Sequence, residues 1–591
     1  MRDKDRENFR MAVRLSFRLL PVQILLASSG AVNGIISSIF ASNRIGSAAM
    51  SAMGLYWPIS LAISAASTLL VCGSQIMCAE YMGKNETEKT EDIFCMDLFL
   101  SVLFSAVLIL LLVLAVSTGI TGVFTDTPEV RRYFDQYVLG MAVGILPQIL
   151  GMQLASFLAL ENRGRRTTGA TVSCIVANLI FNYLFIYKLH MEALGLALAG
   201  SLSFWVFFVV QAQYFLSPKA FLHFRLRKPS GADLKELIVI GAPGALSPAY
   251  LSVRGFIVNA VVMKYVGNAG ISAFTATNNL LGIFWAIPAA MQTVSRILFG
   301  VSIGEEDRRT LEDVMRVMAR CYLPIMCGVA AVLIACAVPF TNIYFRDISD
   351  PVYMMTVWGF RILPLCMPLS VICMHFASYT QAMGKQLYVH LLTLIDGVLA
   401  VSLFTAILVP HMGINGLYIA NVLNGVVTTI YVILFAWIKN RRFPRTMGQM
   451  MMIPADFGFE EGAGLDITVR SMEEVMTVAE QVSAFCAERG VGERRTLLAS
   501  LAVEEMAGNV ISHGYTKDKK QHTADIRVVD NGDTLTLRIK DDCVPFDPAE
   551  RRDIMDPGDP AKNIGIRMIY NMAESIWYQN ILGMNVLTIR V

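Results

Sequence analysis

Apolar and polar positions along the 591-residue chain fall into two regimes. From about Leu19 to Trp437, long apolar runs are broken by short polar stretches, and Leu98–Thr118 carries no charge at all. Runs of this kind, about 20 residues long, cross a bilayer as helices. On that basis about twelve spans are predicted, starting near Leu19, Met53, Asp97, Tyr137, Thr171, Leu194, Leu237, Gly270, Cys321, Met355, Leu387 and Ile414. Beyond Trp437 the pattern shortens to that of a soluble α/β domain. Met472, Val475, Val478, Val482 and Phe485 recur at helical spacing, with Gly490 and Gly492 as the stop. A second helix is predicted over Glu493–Ser512, and its apolar stripe (Leu498, Leu501, Ala502) runs into Glu505 and Asn509. Ala524–Asp530 and Thr534–Asp542 alternate as strands across Asn531-Gly532, a hairpin signal. A helix from Asn563 to Asn580, entered through Gly565, and a closing strand over Asn585–Val591 complete the pattern.

Composition agrees with a membrane class: 55 % of residues are hydrophobic and 16 % charged, against about 25 % charged in soluble proteins. The N-terminal segment is too long and too acidic for a cleaved signal peptide, so the first span is expected to be kept. Eleven scattered cysteines, most inside apolar runs, form no zinc-spaced set and imply no disulfide framework. The loops alternate in charge. Basic residues gather at the N-terminus, at Arg163, Arg165 and Arg166, over Lys219–Lys228, at Arg308 and Arg309, and over Lys439–Arg445. The intervening loops are poor in them, roughly 23 against 6. With an even number of spans, this bias places both termini in the cytoplasm and the chain in the plasma (inner) membrane. The expected partners are the lipid bilayer, a small organic solute and, for the tail, a cytoplasmic regulatory protein; no nucleic acid is implied.

The chain also repeats itself. Arg44–Ala52 (RIGSAAMSA) matches Tyr265–Ala273 (YVGNAGISA), and His190–Leu196 (HMEALGL) matches His411–Leu417 (HMGINGL), both at an offset of about 221 residues. Two six-span copies flanking a cleft form a transporter architecture, with the substrate bound near the midplane between them. With Leu20-Pro21, Ala159–Tyr187 (ALENRGRRTTGATVSCIVANLIFNYLFIY), Gly195–Ala199 and Gly416–Gly425 in order, residues 10 to 445 resemble the multidrug and toxin extrusion (MATE) exporters. The resemblance implies an antiporter coupled to Na+ or H+ that rocks between inward and outward states. Two of the family's carboxylates are replaced, by Ser37 in the first span and by Asn182, near Asn178, in the fifth. Neutral groups there can coordinate or hydrogen-bond but cannot exchange a proton. Ionisable groups predicted at membrane depth are Arg254, Arg361, His375 and Asp396, and such groups are costly in lipid unless they serve a cavity or a pair. The two arginines favour an anionic or zwitterionic solute unless Asp396 neutralises them. Asp97 and Arg296 are predicted nearer span ends, where snorkelling would keep them wet.

In the tail, Glu505 and Asn509 stand at i and i+4 and share one face. Buried polar groups need partners, so they should face a ligand, a metal or an internal network. Glu-xxx-Asn on a helix, then Asp541 to Pro548 (DDCVPFDP) after a strand, then Gly565 at a helix start resembles the GHKL ATPases, closest to the anti-sigma-factor serine kinases. The resemblance covers residues 465 to 591 and implies ATP and Mg2+ as ligands. By that likeness Asn509 holds the magnesium, Glu505 acts as base, Asp541 accepts from the adenine amino group, Phe546 lies in the same motif, and Lys562 and Gly565 approach the phosphates. Two departures stand out: Cys543 where the family has glycine, and Lys562-Asn563-Ile564-Gly565 in place of a fuller glycine box. The predicted organisation is thus a cytoplasmic N-terminus (1–18), two six-helix halves (19–218 and 236–438), cytoplasmic linkers (219–235 and 439–464) and a GHKL-like α/β sandwich (465–591). The function expected is a solute antiporter whose tail regulates it through ATP. The alternative is a membrane-bound sensor with a serine-kinase tail.

Overall fold

The computed structural model describes residues 3–123, 127–218, 220–225, 230–345, 347–454, 457–458, 462–514, 522–544 and 564–591. Among these, twelve helical stretches are long and apolar enough to cross a membrane: Phe9–Ile45, Ala48–Gly83, Thr87–Ser117, Pro128–Leu160, Gly164–Lys188, Glu192–Phe215, Gly231–Tyr265, Ala286–Gly304, Arg308–Ala335, Pro351–Ala382, Gln386–Met412 and Ile414–Asn440. The eighth is entered from the helix Asn268–Phe284, with Trp285 between them. Several helices start before the apolar runs do. The third begins at Thr87 and the ninth at Arg308, because their amphipathic first turns already bury Ile93 and Phe94, or Leu311 and Val314. Apolar runs mark the hydrocarbon layer; the helices continue into the polar layer beyond it.

The repeat holds in the backbone. Left-handed conformations recur at matched positions of the two copies: Gly46 and Gly267, Asn85 and Glu306, Glu192 and Gly413. The two halves meet most tightly at the end facing the C-terminal domain, here called the domain side. A β-carbon at Gly241 in the seventh span would strike the Leu69 carbonyl of the second, and one at Gly304 would strike the Glu80 carbonyl. Small residues allow the backbones this approach. Toward the opposite end, a cavity of about 490 Å³ lies between the second span and the second half.

The tail folds around its own core. Five antiparallel strands, β1 (Gly464–Val469), β2 (Ala524–Asp530), β3 (Leu535–Asp541), β4 (Ser575–Ile581) and β5 (Met584–Arg590), lie in the order β1-β2-β3-β5-β4. Their alternation puts Ile467, Ile526, Val528, Leu537, Ile539 and Ile589 on one face, packed under the helices Met472–Glu488, Glu493–Ala502 and Ile564–Met572. Two elements differ from the sequence pattern. β1 was not visible in it, and the last helix stops at Met572 rather than running to Asn580. Ile576, Trp577 and Tyr578 favour strand, and the left-handed pair Leu582-Gly583 closes β4 onto β5 as a tight hairpin.

Candidate functional site

Two places gather the residues singled out by the sequence: the helical face of the tail's sheet, and the cavity between the halves. In the tail, the helix from Glu493 widens into π-turns over Val503–Ala507 and Val510–Gly514. Such turns often mark functional sites, and Glu505 sits in the first of them. A β-carbon at Gly565 would collide with the Glu505 carboxyl, so the entry of the helix Ile564–Met572 and Glu505 are in direct apposition. Asn509 follows one turn on and is half-buried. Asp541 ends β3 and is 4 % exposed. Its Oδ1 accepts from the Cys543 backbone N–H at 2.9 Å and from Asn585 Nδ2 at 2.8 Å. Burial pushes its carboxyl up, against the pull of those hydrogen bonds. Cys543, also buried, lies beside that carboxyl. Phe546 and Lys562 lie outside the described residues.

The other face of the sheet is polar and rests on the membrane domain. β2 and β3 bring Arg527, Arg538 and Lys540 to the loop after the eighth span. Lys540 meets Glu305 at 2.9 Å, Arg538 donates to the Glu305 carbonyl at 3.0 Å, and Arg527 meets Asp307 at 2.7 Å. Arg527 is also held within the sheet by Asp466, its cross-strand partner on β1. Burial works against charge on Asp307, yet Arg527 and Lys540 outweigh it and hold that carboxyl well below the usual range. β5 and β4 bring neutral groups to the matching loop of the first half: Asn85 donates to Thr588 at 3.2 Å, and Gln579 to Thr87 at 3.4 Å. The two loops are copies of one element, Lys84-Asn85-Glu86 and Glu305-Glu306-Asp307. Their different charges fix which edge of the sheet meets which half, since turning the domain round would set Lys540 against Lys84. The β4–β5 hairpin tip completes the dock. Ile581, Leu582 and Met584 join the membrane domain's apolar core, and a β-carbon at Gly583 would strike Arg18 and Asn162. Beside Asp541, Asp542 is paired with Arg14 of the first span and with His522 at 2.8 Å. The linker straps the second half: Lys385 donates to the Met452 carbonyl at 2.7 Å and Arg308 to that of Pro454 at 3.0 Å. Burial, with Lys439 nearby, brings the Lys385 amine down to about 8.

Within the membrane domain the candidates separate. Arg254 lines the 490 Å³ cavity, together with Asn259, Asn278 and Asn421. Asp396 lies outside that lining and accepts from Asn424 at 2.8 Å. Arg361 is exposed, its guanidinium 5.3 Å from the Trp358 ring, and takes no part in the lining. His375 is fully buried, its Nδ1 2.7 Å from the Val371 carbonyl. In the first half Ser37 is 9 % exposed, and the buried Asn182 amide donates to the Asn178 backbone carbonyl at 2.8 Å and to its side-chain Oδ1 at 3.1 Å. Asp97 and Arg296 do not snorkel: Asp97 is 0 % exposed beside Ser74, and Arg296 9 % exposed. Residues 29–184 and 243–404, together more than half of the chain, match the MatE family, one block in each half.

The chain belongs to the MATE family. The C-terminal residues 468–591 match the histidine kinase-like ATPase domain, so a MATE transporter fold and an ATPase-type domain share one chain. A probable multidrug resistance protein NorM of Bacillus anthracis is 21 % identical over 254 residues, 42 % of this chain and 56 % of that protein. This chain thus spans a little over half the length of such curated relatives. A MATE in complex with MaL6 superposes with a TM-score of 0.68 at 20 % identity, covering 75 % of this chain and 97 % of that one. A MOP superfamily transporter from Pyrococcus furiosus, described as having a binding pocket of reverse polarity, superposes with a TM-score of 0.66 at 21 % identity, over 73 % and 96 % of the two chains.

Proposed function

We propose that this MATE-family chain is a secondary active antiporter exporting an organic solute across the plasma membrane, with both termini cytoplasmic. Its tail, on this reading, is an ATP-dependent brake on the alternation of the two halves. The observation that carries the regulatory part is the dock: one sheet grips the matched loops of both halves at once. Transporters built from two such repeats alternate by rocking one against the other, and a rigid sheet bonded to both opposes that motion. The residues present suit a nucleotide: Gly565 leaves room only for the Glu505 carboxyl, and the helix it opens offers N–H groups of the kind that hold phosphates. In that site Asn509 would hold the magnesium of Mg–ATP, Glu505 would take a proton from an attacking water or hydroxyl, and Asp541 would accept from the adenine amine. ATP bound there would bring the phosphoryl group and the charge that these residues position.

A ligand shifts a conformational equilibrium only through its differential affinity for the two states. The loop after Asp541 supplies a route for such a difference, because its Asp542 is tied to Arg14 of the first span. Driving force comes from a Na+ or H+ gradient; the sequence contains no GxxxxGK[ST] loop. With Ser37 and Asn182 neutral, the carboxyls of the buried Asp97 and the half-buried Asp396 are the groups proposed to exchange the coupling ion. The test is solute flux in proteoliposomes with and without ATP on the tail side. ATP should change the wild-type rate and leave Asn509→Ala unaffected. If Asn509→Ala alters neither nucleotide binding nor flux, the regulatory reading fails. Glu505-dependent phosphoryl transfer without measurable flux would mark a membrane-bound sensor instead.

A further inference from the structure

We infer that the cavity between the halves selects an amphiphilic organic anion, held by Arg254; this rests on the exporter reading above. Arg254 lies in the interior of the seventh span, Gly231–Tyr265, on the cavity wall. Among the described residues it makes no hydrogen bond or ion pair, and Asp396 and Cys366 act on it only through their fields. A guanidinium carries five N–H donors in a planar fork suited to carboxylate, sulfonate or phosphate. In a membrane span, donors left without protein partners call for water or an anion.

The nearby carboxyl, Asp396, offsets this charge through its field but leaves the guanidinium's donors unoccupied. Asp396 is engaged by Asn424 and lies outside the lining, and among the described residues no Asp, Glu, Lys or His lines the cavity. Other polar groups of the wall are the Ser252 hydroxyl and the amides of Asn259, Asn278 and Asn421, which can donate to the same anion. The rest of the wall is apolar and aromatic, with Trp57 from the first half and Phe256, Phe274 and Trp285 from the second. At about 490 Å³ the space is within the range of small-molecule sites, roughly 300–1,000 Å³. One fixed cation, three amides, a hydroxyl and an aromatic wall describe an anionic head on a flat apolar body. Because both halves supply the wall, the site is complete only while they stand in this arrangement.

Two probes of one shape and opposite charge test this: naphthalene-2-sulfonate and 2-naphthyltrimethylammonium. Binding to the full chain in detergent is measured by equilibrium dialysis. The sulfonate should bind at least about 10-fold tighter than the ammonium, and Arg254→Gln should weaken it by about 10- to 100-fold, the range for a hydrogen bond to a charged group. Arg254→Lys should restore part of the loss, and Arg254→Glu should reverse the preference, which separates a charge effect from misfolding. Equal or better binding of the ammonium by the wild type, no binding of the sulfonate, or sulfonate affinity untouched by Arg254→Gln overturns the inference. Flux in proteoliposomes separates the two levels. Export of the ammonium but not the sulfonate sinks this inference and leaves the exporter reading standing. Sulfonate that binds through Arg254 while no solute is moved upholds the site and sinks the exporter.

Discussion

Replacing Arg527 with methionine should loosen the C-terminal domain from the membrane domain while leaving both folded. The Arg527 side chain is 13 % exposed and donates to two carboxylates, Asp307 at 2.7 Å across the dock and Asp466 at 2.7 Å within the sheet. Breaking a buried ion pair by removing one partner costs about 3–5 kcal/mol, because the other charge stays buried and unpaired. Here both carboxylates keep some support. Asp307 still accepts from the Thr310 backbone at 3.0 Å and from its hydroxyl at 2.7 Å, and Asp466 has Arg309 at 3.7 Å. Only the Asp307 arm crosses the dock, so its share is about 1.5–3 kcal/mol, the worth of one hydrogen bond between charged groups and less than the full penalty. That corresponds to a fall of about 10- to 100-fold in the docked-to-undocked ratio. The assay is disulfide formation between Asn85→Cys and Thr588→Cys, whose native side chains are 3.2 Å apart, with the melting of the tail followed in parallel. Crosslinking should fall in the Arg527→Met background, fall less with Asp307→Asn, and show coupling in the double mutant. An unchanged crosslinking yield would refute the reasoning, since the pair would then contribute nothing to the dock.

The nucleotide site offers a direct measurement: Asn509→Ala should weaken a fluorescent ATP analogue by about 10-fold or more, as for loss of a charge-assisted contact. Equal affinity would remove Asn509 from the site. Gly565→Ala drives a β-carbon into the Glu505 carboxyl and should cost about 1–3 kcal/mol of domain stability as overpacking does, read as a lower melting temperature together with lost nucleotide binding. Gly241→Val should force the second and seventh spans apart at the Leu69 carbonyl, and maleimide should then reach Cys72, which is 1 % exposed; protection as in the wild type would argue against that close approach. Asp525 lies on the docked face, and burial pushes its carboxyl up to about 6, against the Thr468 hydrogen bond and Lys540. A raised acid favours the folded state when protonated, so stability should rise as pH falls from about 6 toward the free value near 4, by at most about 1.4 kcal/mol per pH unit. Asp525→Asn should flatten that slope. Asp307, held low, has the opposite sign: its contribution begins to fall only toward the lower end of this window and is lost in stronger acid.

Much of this was legible in the chain because it rests on local rules. Length and apolarity of a run decide whether a helix can sit in lipid, so the number of spans, the duplication and the change of regime after Trp437 can be read directly. Helical spacing predicts that Glu505 and Asn509 share one face, but the π-turn over Val503–Ala507 alters that local spacing; the left-handed positions of the two copies follow from the repeat. Elsewhere distant packing overrules local preference. Ile564–Met572 looked continuous with Ser575–Ile581, but the second segment pairs with β5 and becomes a strand. Asp97 looked able to snorkel, but the second span covers it.

What only the tertiary structure decided is which residues meet. Arg254, Arg361 and Asp396 are equivalent on paper as intramembrane charges; in the fold one faces a cavity, one stacks on Trp358 and one is held by Asn424. The dock was invisible in sequence, although its residues were not. Arg527, Arg538 and Lys540 read as the solvent face of an alternating strand, and Glu305 and Asp307 as an ordinary loop. Alternation fixes which side chains share a face, but a face carries no record of what covers it. That depends on the linker's path and on charges hundreds of residues apart, which become neighbours only when both units are folded.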